Sequence, residues 1–349
     1  MSLEGRYDSE AGVVRVGGDA RQRYHDSRGY GYPLEGNEIA LAPVEAAHLL
    51  YRGDLEAIVD EKNGDRLRFK SFVALEPGEE FGVRFLVYAD LRSRGFYLSP
   101  AAEPWIDEPP AAEFAVFPRG KGPGDGEIAY NLRVIGERTD VPASELTDCV
   151  LAVVDEESEI TYFDVSPRDP QGSSSAPLPD GCEADLLEDR VVVWDPPIEL
   201  YERAFYGQPL EGREYDQPTL QCSLLEATYL AERGAIDLDP ETVRRRGEDV
   251  EGERFHRRLR VYTALRDHEI VPKTGYKFGA DFRTYADVES VDELGHSELL
   301  IRVHPSAHVF EPRDLALDVR LAHGVRKTMA FALVADESIE WWSIERLTP

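Results

Sequence analysis

The sequence predicts an α/β (α+β) fold made by tandem duplication of one two-subdomain unit, a helical and antiparallel first part followed by a mixed sheet. Three observations carry this. Five segments recur in the same order, at offsets near half of the 349-residue chain: GYPLEGNE at 31–38 with GQPLEGRE at 207–214, APVEAAHLLYRGDL at 42–55 with SLLEATYLAERGAI from 223, RFLVYADLRSRGF at 84–96 with RLRVYTALRDHEI at 258–270, NLRVI at 131–135 with LIRVH at 300–304, and CVLAVVDEESEITYFDV at 149–165 with MAFALVADESIEWWSI at 329–344. Between the copies lies SPRDPQGSSSAPLPDG, 166–181, whose Pro, Ser and Gly content reads as a flexible, partly extended connector. Within each copy, helical periodicity gives way to strand alternation. The expected boundaries are 1–168 for the first repeat, 169–186 for the linker and 187–349 for the second repeat, itself divided into 187–252 and 253–349.

The second copy justifies its elements in order. RVVVW at 190–194 reads as a short strand. LLEATYLAERG reads as a helix, with Leu225, Tyr229 and Leu230 on one face and Gly234 as its stop. DPETVRRRGEDVEGE reads only as a charged segment. RFHRRLRVYTALRDHE returns to helical spacing through Phe255, Leu259, Tyr262 and Leu265. GYKFGADFRTY and SELLIRVH follow as strands, the latter alternating Leu299, Ile301 and Val303. Pro312 suits the first turn of a helix from about Arg313. On it Leu315, Val319, Ala322 and Val325 form an apolar stripe, and Arg320, His323 and Lys327 share the opposite face. Two closing strands, MAFALV and IEWWSI, flank the acidic turn ADES.

The net charge is -29, and lysine is confined to Lys62, Lys70, Lys121, Lys273, Lys277 and Lys327. Such an acidic surface suits solubility at high salt, and bulk charge alone argues against a polyanion partner. The average hides a contrast: from Arg244 to Lys327 there are 16 Lys+Arg and 15 Asp+Glu, so the negative excess lies elsewhere. No apolar run approaches the roughly 20 residues of a membrane helix. The polar start MSLEGRYDSE is not a secretory signal. Cys149, Cys182 and Cys222 fit neither a disulfide framework nor a zinc spacing. A soluble, cytoplasmic protein is expected, with no membrane partner.

The near-neutral segment gathers Tyr285, His296 and Lys327 beside several Arg, without metal-ligand spacing and without a paired-carboxylate motif. Those residue types suit RNA cleavage without a metal. A base takes the ribose 2′-OH proton, an acid protonates the departing 5′-oxygen, and a cation stabilises the phosphorane. A tyrosine with its usual pKa of about 10 needs a neighbouring cation to act as base, while histidine donates protons near neutrality. Which of Tyr285 and His296 is base and which acid stays open at this point.

Three motifs, KTGYKFGADFRTY, HSELLIRVHP and VRLAHGVRKTMAFA, together resemble the catalytic half of the archaeal tRNA-splicing (tRNA-intron) endonuclease. The duplicated layout resembles the subclass in which two units are fused and the fused chain forms a homodimer. The resemblance implies a nuclease-like fold for the mixed sheet, and Tyr285, His296 and Lys327 as the catalytic residues. It implies cleavage of precursor tRNA in a bulge-helix-bulge at both exon–intron junctions, giving 2′,3′-cyclic phosphate and 5′-hydroxyl ends, with no cofactor and no DNA partner. It also implies that the acidic loop Asp155–Glu159, with Asp155, Glu156 and Glu157, docks on the other chain. Two residues sandwiching a flipped base are implied too: Arg320 matches the first, and the second falls in the final strand at Trp341 and Trp342, with Trp342 the candidate.

The first copy is an internal control. Aligning the repeats sets Phe117, Glu127 and Thr147 opposite Tyr285, His296 and Lys327, so all three groups are lost together. The alternative reading, a non-catalytic RNA-binding or assembly protein of the same fold, suits the first copy alone.

Overall fold

The computed structural model describes residues 3–75, 80–102, 104–210, 212 and 217–349. Glu211, Arg213 and Glu214 of the second LEG repeat, and Met1 and Ser2, lie outside the described residues. The first unit runs β1 (Leu3–Asp8), β2 (Val13–Val16), β3 (Tyr32–Pro33), β4 (Ile39–Leu41), α1 (Pro43–Tyr51), β5 (Leu55–Asp60), β6 (Arg66–Leu67), α2 (Phe69–Val73), α3 (Phe81–Ser93), β7 (Leu98–Pro100), β8 (Phe114–Val116), β9 (Tyr130–Gly136), β10 (Val141–Pro142), β11 (Cys149–Val154) and β12 (Ile160–Pro167). The second runs β13 (Ala184–Leu186), β14 (Arg190–Trp194), α4 (Glu199–Glu202), β15 (Gln208–Pro209), β16 (Thr219–Ser223), α5 (Leu224–Glu232), α6 (Pro240–Glu251), α7 (Glu253–Asp267), β17 (Val271–Thr274), β18 (Phe282–Tyr285), β19 (Leu299–Pro305), β20 (Val309–Phe310), α8 (Pro312–Gly324), β21 (Thr328–Val334) and β22 (Ile339–Leu347).

The mixed-sheet halves of the two units are one continuous ten-stranded sheet, ordered β17-β18-β19-β21-β22-β12-β11-β9-β8-β7. The halves join where β12 and β22 pair antiparallel, with Val165 opposite Ile344. These two residues hold equivalent places, since Cys149 pairs with Val165 and Met329 with Ile344. A pseudo-two-fold axis therefore passes through that pair. Beside it the Ser166 and Ser343 hydroxyls lie 3.0 Å apart. β10 and β20 make a second, two-stranded link between the units.

The central strands are buried on both faces, which explains their unbroken apolar runs. In β21, Ala330, Ala332 and Val334 face a core closed by α5 and α7, while Met329, Phe331 and Leu333 face the other side. That second core is shared: Leu151, Phe163 and Val165 of the first unit meet Leu315, Val319 and Ala322 of α8. Each N-terminal half has its own small sheet. One is six-stranded and includes the parallel pair β1–β5; the other is four-stranded and antiparallel.

Several expectations change. The charged segment is helix α6: the Asp239 carboxylate caps the Thr242 amide at 2.9 Å and Pro240 opens the first turn. The first unit has β5, β6 and α2 in that place, and a single turn, Ala143–Glu145, where the second has α8. The connector after β12 is extended but docked. Gly172 and Ser174 amides donate to His268 and Glu269 carbonyls at 3.0 and 2.8 Å. A Cβ at Gly172 would overlap the carbonyl oxygens of Glu269 and Ala286. The second unit's sheet also starts earlier than expected, at Ala184. α8 stops at Gly324, so Val325 is 40% exposed and outside the apolar stripe. Arg326 has a positive φ of 57°, and Lys327 leaves the helix face that Arg320 and His323 occupy.

The repeats also diverge at an equivalent buried glutamate. Glu45 and Glu226 each accept two backbone amides, from Gly31 and Ala42 and from Gly207 and Ser223. Burial pushes Glu45 up to about 7. Burial would also raise Glu226, but the Lys273 ammonium at 2.8 Å outweighs it and holds the carboxyl at about 2. The Lys273–Glu226 contribution is therefore present above the ordinary carboxylate range and fades as pH falls toward 2. Lys273→Met should strand a buried carboxylate and cost about 3–5 kcal/mol in denaturant unfolding near neutral pH. A loss within measurement error would show that the pair is not holding the second unit together.

Candidate active site

β18 runs antiparallel to β19, and β19 runs parallel to β21. The C-terminal end of β18 and the N-terminal starts of β19 and β21 thus lie at the same edge of the sheet. Tyr285 ends β18, His296 stands three residues before β19, and Lys327 immediately precedes β21. Backbone hydrogen bonds tie the three levels together: the Glu298 amide donates to Thr284 at 3.1 Å, and the Thr328 amide donates to Glu298 at 3.1 Å.

Lys327 crosses between them. Its ammonium donates to the Ser297 carbonyl at 2.6 Å, one residue from His296. Burial, with the nearby Arg283 charge, lowers its pKa from the ordinary lysine value. The Phe278 ring centroid lies 5.9 Å from the same ammonium. Tyr285 is 8% exposed, its ring 5.7 Å from that of Phe205 and 5.7 Å from the Arg283 guanidinium. The phenol ring is thus held by packing with a cation beside it. His296 is exposed, while its neighbour Ser297 is buried.

The sheet also tests the repeat alignment. Phe114 pairs with Leu132 as Phe282 pairs with Ile301, so Phe117 takes the place of Tyr285. Counting from the same pairs sets Glu127 at His296 and Thr147 at Lys327. The first unit keeps the strands without the functional groups.

Arg320 faces a cavity of about 460 Å³ between α8, β12 and β22, which it shares with Arg313, Asp314, His323 and Arg346. Phe163 forms part of its wall. Among the described residues, none of these arginines has a carboxylate at salt-bridge distance. Trp342 does not line this cavity. It is half-buried between its strand neighbours Phe331 and Pro167, with its indole nitrogen buried and without a hydrogen-bond partner among the described residues. Trp341 points into the opposite core. Arg346 was missed in the sequence. Two-residue alternation from Trp342 would have placed Arg346 on the same face.

Asp155, Glu156 and Glu157 form a tight turn between β11 and β12, with Glu156 and Glu157 exposed; the strand pairings set it at the same end of the sheet as Lys327, across β22 and β12. The Asp155 carboxylate accepts the Glu157 and Glu159 amides at 2.9 and 2.8 Å, and Arg138 pairs with Glu156 at 2.5 Å. His304 and His308 stack at 3.8 Å beside Phe310 and take no part in the edge cluster. No helix among the described residues is long and apolar enough to cross a membrane.

Comparison with known proteins follows this geometry. Residues 255–341 match the family model described as the tRNA intron endonuclease catalytic C-terminal domain. Residues 8–73 and 182–249 both match its N-terminal domain. The chain is 57% identical to a tRNA-splicing endonuclease of Haloarcula marismortui, covering 97% of this chain and 98% of the relative. It is 54% identical to one of Halobacterium salinarum over 98% and 99%, and 37% identical to one of Methanococcoides burtonii over 96% and 97%.

Lys327→Met would remove the tether on Ser297. Amide exchange across 294–298 should rise several-fold, with the unfolding midpoint little changed. Unchanged exchange would mean that packing alone holds the His296 segment.

Proposed function

Because this chain belongs to the tRNA intron endonuclease family, we propose that it cuts precursor tRNA at both exon–intron junctions of a bulge-helix-bulge by metal-independent transesterification. The observation that carries the reading is the single edge at which Tyr285, His296 and Lys327 meet, emptied of all three groups in the sister unit.

Tyr285 takes the proton of the ribose 2′-OH, whose oxygen bonds to the adjacent phosphorus. The phosphorus–5′-oxygen bond breaks, and His296 supplies the proton that leaves a 5′-hydroxyl. Lys327 stabilises the extra negative charge of the phosphorane. The cyclic 2′,3′-phosphate is the other product. The Arg283 guanidinium, 5.7 Å from the Tyr285 ring, adds a second positive charge beside the reacting phosphate. Arg320, with Arg346 in the same cavity, holds the bulged nucleotide, and a flipped base stacks on such planar groups with little sequence preference. Two junctions need two sites, so the working form is a homodimer. The exposed Asp155–Glu159 turn is its contact with the second copy.

The test is kinetic. Lys327→Ala should lower single-turnover cleavage of a bulge-helix-bulge RNA by about 10²–10³-fold, as for loss of one transition-state donor. Its RNA affinity should stay within about threefold, because one positive charge among several is removed. Cleavage at the parent rate would remove Lys327 from the mechanism.

A further inference from the structure

The connection between β17 and β18 is short and rigid. Gly275, Tyr276, Lys277, Phe278 and Gly279 form one tight turn. The Phe278 and Ala280 amides donate to the Gly275 carbonyl at 2.8 and 3.2 Å, and the Gly279 amide to the Tyr276 carbonyl at 3.1 Å. The Tyr276 amide donates to the Thr274 hydroxyl at 3.3 Å. Gly275 is buried, and a Cβ there would crowd the Ala280 oxygen at 2.8 Å; Gly279 has a φ of +69°. Each glycine is needed for this shape. In the first unit the same connection spans 101–113, almost twice as long, so this turn belongs to the catalytic copy.

The turn holds two aromatics in opposite ways. Phe278 turns inward and reaches Lys327. Tyr276 turns outward and is 86% exposed, more than any other large hydrophobic side chain among the described residues. Tyr51, the next most exposed, rests on Phe69 and Phe85, whereas Tyr276 has no ring partner among the described residues. Exposure alone is ordinary for a single side chain. Here the ring stands on an immobilised backbone, beside the exposed Lys277, on a turn at the opposite end of the four-residue β18 from Tyr285 that reaches the candidate site through Phe278.

We propose that Tyr276 is a stacking platform for an unpaired nucleobase of the RNA, with Lys277 meeting the adjoining phosphate. This rests on the RNA-cleaving reading of the site. A fixed aromatic face costs little ordering on binding, accepts any base, and suits single-stranded nucleotides rather than paired ones. The platform thus selects for bulged over fully paired RNA and positions the substrate without joining the chemistry.

The experiment uses the full chain and a synthetic bulge-helix-bulge RNA, with a fully paired duplex as control. Tyr276→Ala should weaken bulge-RNA binding and raise KM by about tenfold, within the range of one lost base stack. The single-turnover rate at saturation and the duplex affinity should not change. Tyr276→Phe should restore the parent value, and Tyr276→Leu should not. An abasic scan of the bulges should find one nucleotide whose removal costs the parent the same factor and costs Tyr276→Ala nothing further. If the parent cuts the RNA and Tyr276→Ala binds it as tightly, the platform is wrong while the endonuclease reading stands. A parent that neither binds nor cuts the RNA sinks both. A change in sedimentation with no change in RNA affinity would assign the ring to a protein contact and overturn the inference.

Discussion

The pairing of β12 with β22 is the constraint on which the remaining architecture depends. Each unit alone would leave a five-stranded sheet with an open edge and half of an apolar face uncovered. Joined about Val165 and Ile344, the two edges satisfy each other's backbone groups, and one shared core forms beneath α8. An unpaired strand edge is a standing risk of aggregation, and fusion of the two units removes it within one chain. The sister unit therefore has a physical task of its own. It completes the sheet that carries the site and supplies Phe163 to the cavity beside α8.

That division of labour explains what each copy has kept. Both retain the strands that pair at the centre and the helix that covers them. Only the second has the ammonium of Lys327 reaching across to Ser297, and only the second has α8. The buried glutamates show the same divergence: the Lys273 ammonium outweighs burial at Glu226, whereas at Glu45 burial prevails over two amides, Tyr88 and the more distant Arg92 charge. The compact turn carrying Tyr276 and Phe278 likewise belongs to the unit with the chemistry.

Much of this was legible in the residues. Ordered internal matches revealed the duplication, and unbroken apolar runs revealed strands covered on both faces. Pro312 marked the start of α8. Loss of Tyr, His and Lys in the first copy singled out three positions before any geometry was known, and the sheet places them at one edge. Other features were hidden for physical reasons. α6 is charged all along its length, so its apolar contacts, Val243 and Gly247, are too few to show a stripe. The connector's composition reads as flexible because its hydrogen bonds go to distant backbone. Lys327 falls on a helical spacing with Arg320 and His323, and nothing local signals that Arg326 turns the chain away. Arg346 was overlooked beside two tryptophans, and the cationic cavity it completes is assembled from three separate elements.

Three side chains at one sheet edge are proposed to cut RNA by internal attack of a ribose hydroxyl, with no bound metal. End-group analysis of a bulge-helix-bulge RNA incubated with the protein in excess EDTA tests it most directly. Cutting in both bulges is expected, with 2′,3′-cyclic phosphate and 5′-hydroxyl ends. A requirement for added metal, or 3′-hydroxyl and 5′-phosphate ends, would contradict it.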